Sequence, residues 1–133
     1  MANSKQFGMK AMKKQIKQKF SNKKEEKIDW LKAADYIEKQ IRTFNPQPGI
    51  FCFWQKADGK LVRLKILKAR VLKSMDSKTY PIGKTLVAPQ NELCVQCEKG
   101  FLIIERLQIE RKKEMGSEKF LRSHPSFIGT ILK

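Results

Sequence analysis

Residues 41–54, IRTFNPQPGIFCFW, mark the point where one periodicity stops and another starts. Upstream, in IDWLKAADYIEKQIRTF (residues 28–44), Ala33, Ala34, Ile37, Ile41 and Phe44 recur at steps of three and four, while Lys32, Glu38, Lys39 and Arg42 fall elsewhere. That spacing predicts an amphipathic helix of about three turns. Pro46 pushes Asn45 out of the helical region, and neither Pro46 nor Pro48 can donate a backbone hydrogen bond. Gly49 then frees the chain to turn in any direction. Downstream, IFCFWQK has the length and composition of a short apolar strand. Asn45–Gly49 is therefore a corner that delivers a helix into a sheet.

Beyond it, Asp58-Gly59 is a two-residue hairpin signal. In the return stretch LVRLKILKARVLKS, Leu64 and Ile66 alternate with Arg63 and Lys65, and then Ala69 and Val71 alternate with Lys68 and Arg70. The phase slips near Leu67, which predicts a bulge in a coiled strand with four cations on its solvent face. A loop with Pro81 and Gly83 leads to strand candidates KTLVA, ELCVQC and FLIIERLQI, the last two joined by Glu98-Lys99-Gly100. GSEKFLRSHP predicts a short helix capped at Ser117 and ended by Pro125. The expected fold is mainly β: a small open Greek-key OB-like barrel of five to six strands. A helix precedes it, a short C-terminal helix follows it, and a basic arm lies at the N-terminus. No internal repeat is visible.

The charge is the unusual property. The 133 residues hold 29 Lys plus Arg against 13 Asp plus Glu, a formal +16. Such a chain repels itself unless a polyanion is near, which points to nucleic acid or an anionic surface. No apolar run approaches a membrane span, and the N-terminus has no secretory h-region. An odd count of cysteines, Cys52, Cys94 and Cys97, favours free thiols in a reducing compartment, the cytoplasm or the mitochondrial matrix. Residues 1–27 hold nine lysines and two acids and divide as a basic arm from a domain over 28–133. Within the arm, Met9, Met12, Ile16 and Phe20 recur at helical spacing among Lys10, Lys13, Lys14 and Lys17. The arm is open to three readings: a solvated leader, a mitochondrial transit peptide, or a cationic segment that lies along phosphates.

Catalytic chemistry is poorly supplied. The single histidine, His124, precedes Pro125 at the end of the last helix, where a C-cap or surface role is ordinary. No glycine-rich phosphate loop follows a strand. Cys94-Val95-Gln96-Cys97 spells C-x-x-C, but a structural zinc needs four ligands, and in a strand these two thiols point to opposite faces. No catalytic residue, metal, cofactor or small-molecule substrate is expected. RNA binding uses what is abundant, because phosphate contacts need cations on one surface and confer affinity without sequence specificity. The candidates are Lys10, Lys13, Lys14 and Lys17 in the arm, Arg42 on the helix, Arg63, Lys65, Lys68 and Arg70 on the strand, and Arg111-Lys112-Lys113.

Two motifs also resemble a known family. IDWLKAADYIEKQIRTFNPQPG looks like the opening of the C-terminal domain of methionyl-tRNA formyltransferases, approximately I-D-W then I-R-x-F-N-P-W-P-G. LQIERKKEMGSEKFLRSHP is similar to that domain's L-Q-x-x-G-K-K-x-M-x-A-x-x-F-L-R-G, and DGKLVRLKILKA resembles its lysine-bearing strand, carried here by Lys65. The likeness covers roughly residues 20–133. It implies that the corner joins a linker helix to an OB-like barrel, and that linker and barrel contact initiator tRNA on its backbone. Gln47 replaces the usual tryptophan between the prolines, which puts packing at the corner in doubt. Arg111 stands where glycine is common, which puts a tight turn there in doubt. The folate site, the Ser-Leu-Leu-Pro loop and the catalytic asparagine, histidine and aspartate of the formyltransferase domain have no counterparts.

The leading expectation is a non-catalytic RNA-binding module that grips structured RNA, initiator tRNA by resemblance, with a catalytic formyltransferase chain as a possible partner in trans. The alternative is a structural subunit of a bacterial or organellar ribosome, bound to rRNA among ribosomal proteins. A pure protein-interaction module leaves the charge unexplained.

Overall fold

The computed structural model describes residues 26–45, 48–76 and 78–133. The elements run β1 (Glu26–Lys27), α1 (Ala34–Phe44), β2 (Ile50–Gln55), β3 (Leu61–Leu72), β4 (Thr85–Ala88), β5 (Glu92–Gln96), β6 (Phe101–Ile109), β7 (Glu114–Gly116) and α2 (Ser117–Ser123). Single 3-10 turns sit at Pro89–Asn91 and Pro125–Phe127. The strands make one mixed sheet in the order β1-β2-β3-β6-β5-β4, with β7 also paired to β6. Only β1 runs parallel to its neighbour.

Where five to six strands were expected, the described residues form seven. The two that sequence reading missed, β1 and β7, are two and three residues long. Strands that short show no alternation of their own; they exist because an edge is available to pair with. A second difference lies at α2, which begins at Ser117 with Gly116 as its N-cap and no side-chain cap bond. On α1 the buried face is Ala34, Ile37, Gln40, Ile41 and Phe44, so Ala33 is the N-cap rather than part of that face.

The corner is fixed by its contacts with β3. The Asn45 backbone N–H still bonds to Ile41 O at 3.2 Å, and the Gly49 N–H reaches back to Phe44 O at 3.0 Å. The Asn45 side-chain amide donates to the carbonyl of Leu67. Leu67 is the residue at which the β3–β6 register shifts, between Ile66 and Lys68, with a second irregularity between Lys68 and Ala69. The phase slip in the sequence is thus a real bulge, and the corner is tied to it. Gly49, at φ +101°, lies so close to Lys65 that a Cβ there would come within 2.7 Å of Lys65 Cε. A carbonyl freed by a bulge needs a donor, and Asn45 supplies one.

The core lies between α1, α2 and the inner face of the sheet, where Leu64, Ile66, Leu102, Ile104 and Leu107 are buried with Phe44, Phe120 and Phe127. Trp54 meets Phe127 edge to face at 5.0 Å and Phe120 at 5.8 Å, which pins α2 and the following turn to β2. A smaller cluster of Ala88, Cys94, Phe101 and Ile103 lies on the opposite face of β4, β5 and β6, covered by Met75 and Tyr80.

Strand pairing does not close the sheet, but the last residues touch both ends of it. Lys133 exchanges two backbone hydrogen bonds with Phe53 of β2, at 2.8 and 2.9 Å. Ile131 bridges Lys84, and the Leu132 N–H bonds to Gly83 O at 2.8 Å. Gly83 has φ +89°, and a Cβ there would stand 2.7 Å from Leu132 O, so only glycine lets this segment approach. Buried Thr85 adds an Oγ1 donation to Phe127 O at 2.7 Å.

Candidate nucleic-acid interface

The candidate surface is the outer face of β2 and β3 with the β6–β7 turn. Along β2, Ile50, Cys52 and Trp54 point into the core, which leaves Phe51 and Phe53 on the outer side, half-buried. Register sets Lys65 opposite Phe51 and Arg63 opposite Phe53 on one edge of β3, and Lys65 opposite Gln108 on the other. Cross-strand neighbours on one face touch. The Arg63 guanidinium carbon lies 4.0 Å above the Phe51 ring centre, and Phe51 meets Phe53 edge to face at 5.4 Å.

The turn after β6 brings a third cation. Lys112 N–H bonds to Ile109 O at 2.9 Å, the Gln108 side chain donates to Lys112 O at 2.7 Å, and Glu110 N–H bonds to Arg63 O at 3.0 Å. The tight turn that an arginine in place of glycine put in doubt does form. Arg111 occupies its left-handed position, with φ 69°. Arg63, Lys65, Gln108, Glu110 and Arg111 line one concavity. Lys112 and Lys113 are exposed on the same turn.

Beyond the bulge the same strand behaves differently. Arg70 Nε donates to Glu105 at 3.0 Å and its Nη2 pairs with Glu92, while Lys68 Nζ lies 3.9 Å from Glu105. The hydrogen bonds to Glu92 and then Glu105 raise the Arg70 pKa above its ordinary value. Both cations therefore have a carboxylate beside them that competes with a phosphate. Arg42 is held the same way, 2.8 Å from Glu38 one turn earlier on α1. The four strand cations therefore divide at the bulge into two groups with different surroundings. Lys10, Lys13, Lys14, Lys17 and Gln47 lie outside the described residues.

The sequence reading missed Phe51 and Phe53 because IFCFW is apolar throughout, so its alternation is invisible. It missed Glu92 and Glu105 because carboxylates 22 and 35 residues from Arg70 come near only through the sheet.

The three cysteines and the histidine pack into the fold, away from the candidate concavity. Cys97 and Cys52 join the main core and Cys94 the opposite cluster, so the C-x-x-C thiols do diverge. All three are unbridged; burial pushes Cys52 and Cys97 up to about 12 and Cys94 up to about 11. His124 caps α2 through its N–H to Phe120 O, and its ring stacks on Phe120 at 4.8 Å.

The family model described as formyl transferase, C-terminal domain, matches residues 21–125. The methionyl-tRNA formyltransferase of Orientia tsutsugamushi is 31% identical over 112 residues, 84% of this chain and 34% of its own length. That of Pseudoalteromonas translucida is 37% identical over 113 residues, again 84% of this chain and 34% of the relative. That of Caldanaerobacter subterraneus is 38% identical over 106 residues, 80% and 32% respectively. The chain spans about a third of the length of the curated relatives it matches. The match over residues 21–125, most of the chain, shows that the chain belongs to the formyl transferase C-terminal domain family.

Proposed function

We propose that this domain binds RNA without catalysing a reaction, gripping the phosphate backbone of a tRNA through the face built from Arg63, Lys65 and Arg111, with Lys112 and Lys113 beside it. The observation that carries the reading is the convergence of three cations on one concavity of a paired, rigid strand face in a +16 chain. Preorganised cations lose little side-chain freedom on binding, so more of each contact appears as affinity. The relatives are named for methionyl-tRNA, which supports tRNA as the ligand class. The fold is an OB-like Greek-key variant in which residues 130–133 bridge the two sheet ends. Formyl transfer belongs to a separate catalytic unit of the formyltransferase type, acting in the cytoplasm or the mitochondrial matrix.

Filter binding of purified protein to initiator tRNA, titrated at four salt concentrations, tests the reading. With roughly 6 to 10 phosphates neutralised, affinity falls about 10³-fold or more between 50 and 200 mM salt. A flat salt response contradicts it. In parallel, the protein alone incorporates no formyl group into methionyl-tRNA; turnover above a heat-killed control contradicts the non-catalytic part.

A further inference from the structure

Phosphate contacts account for the cations on this face but not for the aromatics among them. Two phenylalanines on the outer side of the sheet, outside both hydrophobic clusters, sit half-buried among these cations and keep part of each ring open to solvent. Their backbone is held on both edges of the strand. Cys52–Phe53 and their neighbours pair along β3, while on the other edge Phe51 O accepts from the Ile28 N–H at 2.8 Å and Phe53 is bonded twice to Lys133. A phenylalanine has only two side-chain torsions, so a ring on such a strand is ordered before a ligand arrives. Arg63 lies over Phe51, and Lys65 and Arg111 border the adjoining concavity.

Aromatic rings and guanidinium planes are the surfaces on which unstacked bases settle, and cations beside them take the neighbouring phosphates. A duplex offers no exposed base face, so such a surface is useful only against a bulged, looped or terminal nucleotide. We propose that Phe53 and the Phe51–Arg63 pair form a stacking platform for one unpaired nucleobase of the bound RNA, with Lys65 and Arg111 on the adjoining phosphates. This rests on the RNA-binding reading above and adds a preference for unpaired RNA to a grip that otherwise ignores sequence. The preference is for an exposed base and not for its identity, because every base has a π-face.

The test compares two RNA duplexes that differ by one bulged 2-aminopurine nucleotide, with wild type and Phe51→Leu/Phe53→Leu. Wild type binds the bulged RNA more tightly and quenches its 2-aminopurine fluorescence. The double variant, folded by circular dichroism, loses about 5- to 150-fold affinity for the bulged RNA, the range for one lost base stack. Its loss on the plain duplex is several-fold smaller, because a duplex offers no exposed base to stack. An unquenched bulge at saturating wild-type protein overturns the platform without reference to any variant, and so does an equal loss on both RNAs. In either case binding itself stands. If wild type binds neither RNA, the RNA-binding reading fails and the platform with it.

Discussion

Arg111 shows how one position can trade stability for binding. A side chain in the left-handed region costs about 1–2 kcal/mol, whereas glycine there costs about 0.5–1 kcal/mol in unfolded-chain entropy. Arg111→Gly therefore stabilises the domain by up to about 1 kcal/mol and raises the thermal midpoint by about 4 °C. It also removes a cation from the concavity, so the salt slope of RNA binding falls by about 0.7–0.9. Scanning calorimetry and salt-titrated binding on the same variant check both halves; a lower midpoint, or an unchanged slope, contradicts this assignment. At this scale the sequence showed which residues carry charge but not what surrounds each of them. Lys68 and Arg70 look identical to Arg63 and Lys65 along the strand, and only the sheet brings Glu92 and Glu105 beside the former pair. The three cysteines were legible as free thiols, though not by how deeply each is buried. Their burial keeps them protonated at neutral pH, so at pH 8 a thiol reagent modifies the native protein far more slowly than the unfolded chain. Because the folded thiols titrate at about 11 and about 12 rather than at the ordinary 9.0, their stabilising contribution is complete below pH 9 and is lost as the pH rises toward 12. A fall in the unfolding midpoint above pH 9 checks this.

Among the elements, the corner and the bulge work as one device. The break in helical pattern at Asn45 and the phase slip at Leu67 were both readable in the sequence, because proline chemistry and period-2 alternation are local. Their contact was not readable, since Asn45 meets Leu67 through the packing of α1 over β3. Through that contact the corner also fixes the lysine of the binding face, because Gly49 leaves the room that Lys65 fills. Gly49→Ala should destabilise by about 1 kcal/mol or more, from the positive φ alone. The crowded atom is the flexible end of Lys65, so the clash is relieved by moving that side chain rather than the backbone. The variant therefore folds with Lys65 displaced, and RNA affinity falls together with stability. Loss of stability with unaltered binding under folding conditions contradicts a role for the corner in placing Lys65. β1 and β7 remained hidden because two or three residues cannot show a period, and the C-terminal bridge because its hydrogen bonds satisfy distant edges.

For the whole molecule, the net charge of +16 and the two terminal motifs were legible from the start; the motifs point to the family that the family model matches, and the charge is what the RNA-binding proposal starts from. What the three-dimensional arrangement adds is a direction to that charge. Lys68 and Arg70 share Glu105, Arg70 also pairs with Glu92, and Arg106 pairs separately with Glu114, while Arg63, Lys65 and Arg111 line the concavity on the other side of the bulge. Total charge alone makes every lysine and arginine equivalent, and this layout does not. The decisive measurement is the slope of log affinity for initiator tRNA against log salt concentration, in wild type, in Arg63→Ser/Lys65→Ser/Arg111→Ser and in Lys68→Ser/Arg70→Ser. With each phosphate contact worth about 0.7–0.9 of slope, the triple variant should lose about two units or more and the double variant well under one. Equal losses per charge removed, or a larger loss in the double variant, would show that the RNA does not lie on the face identified here.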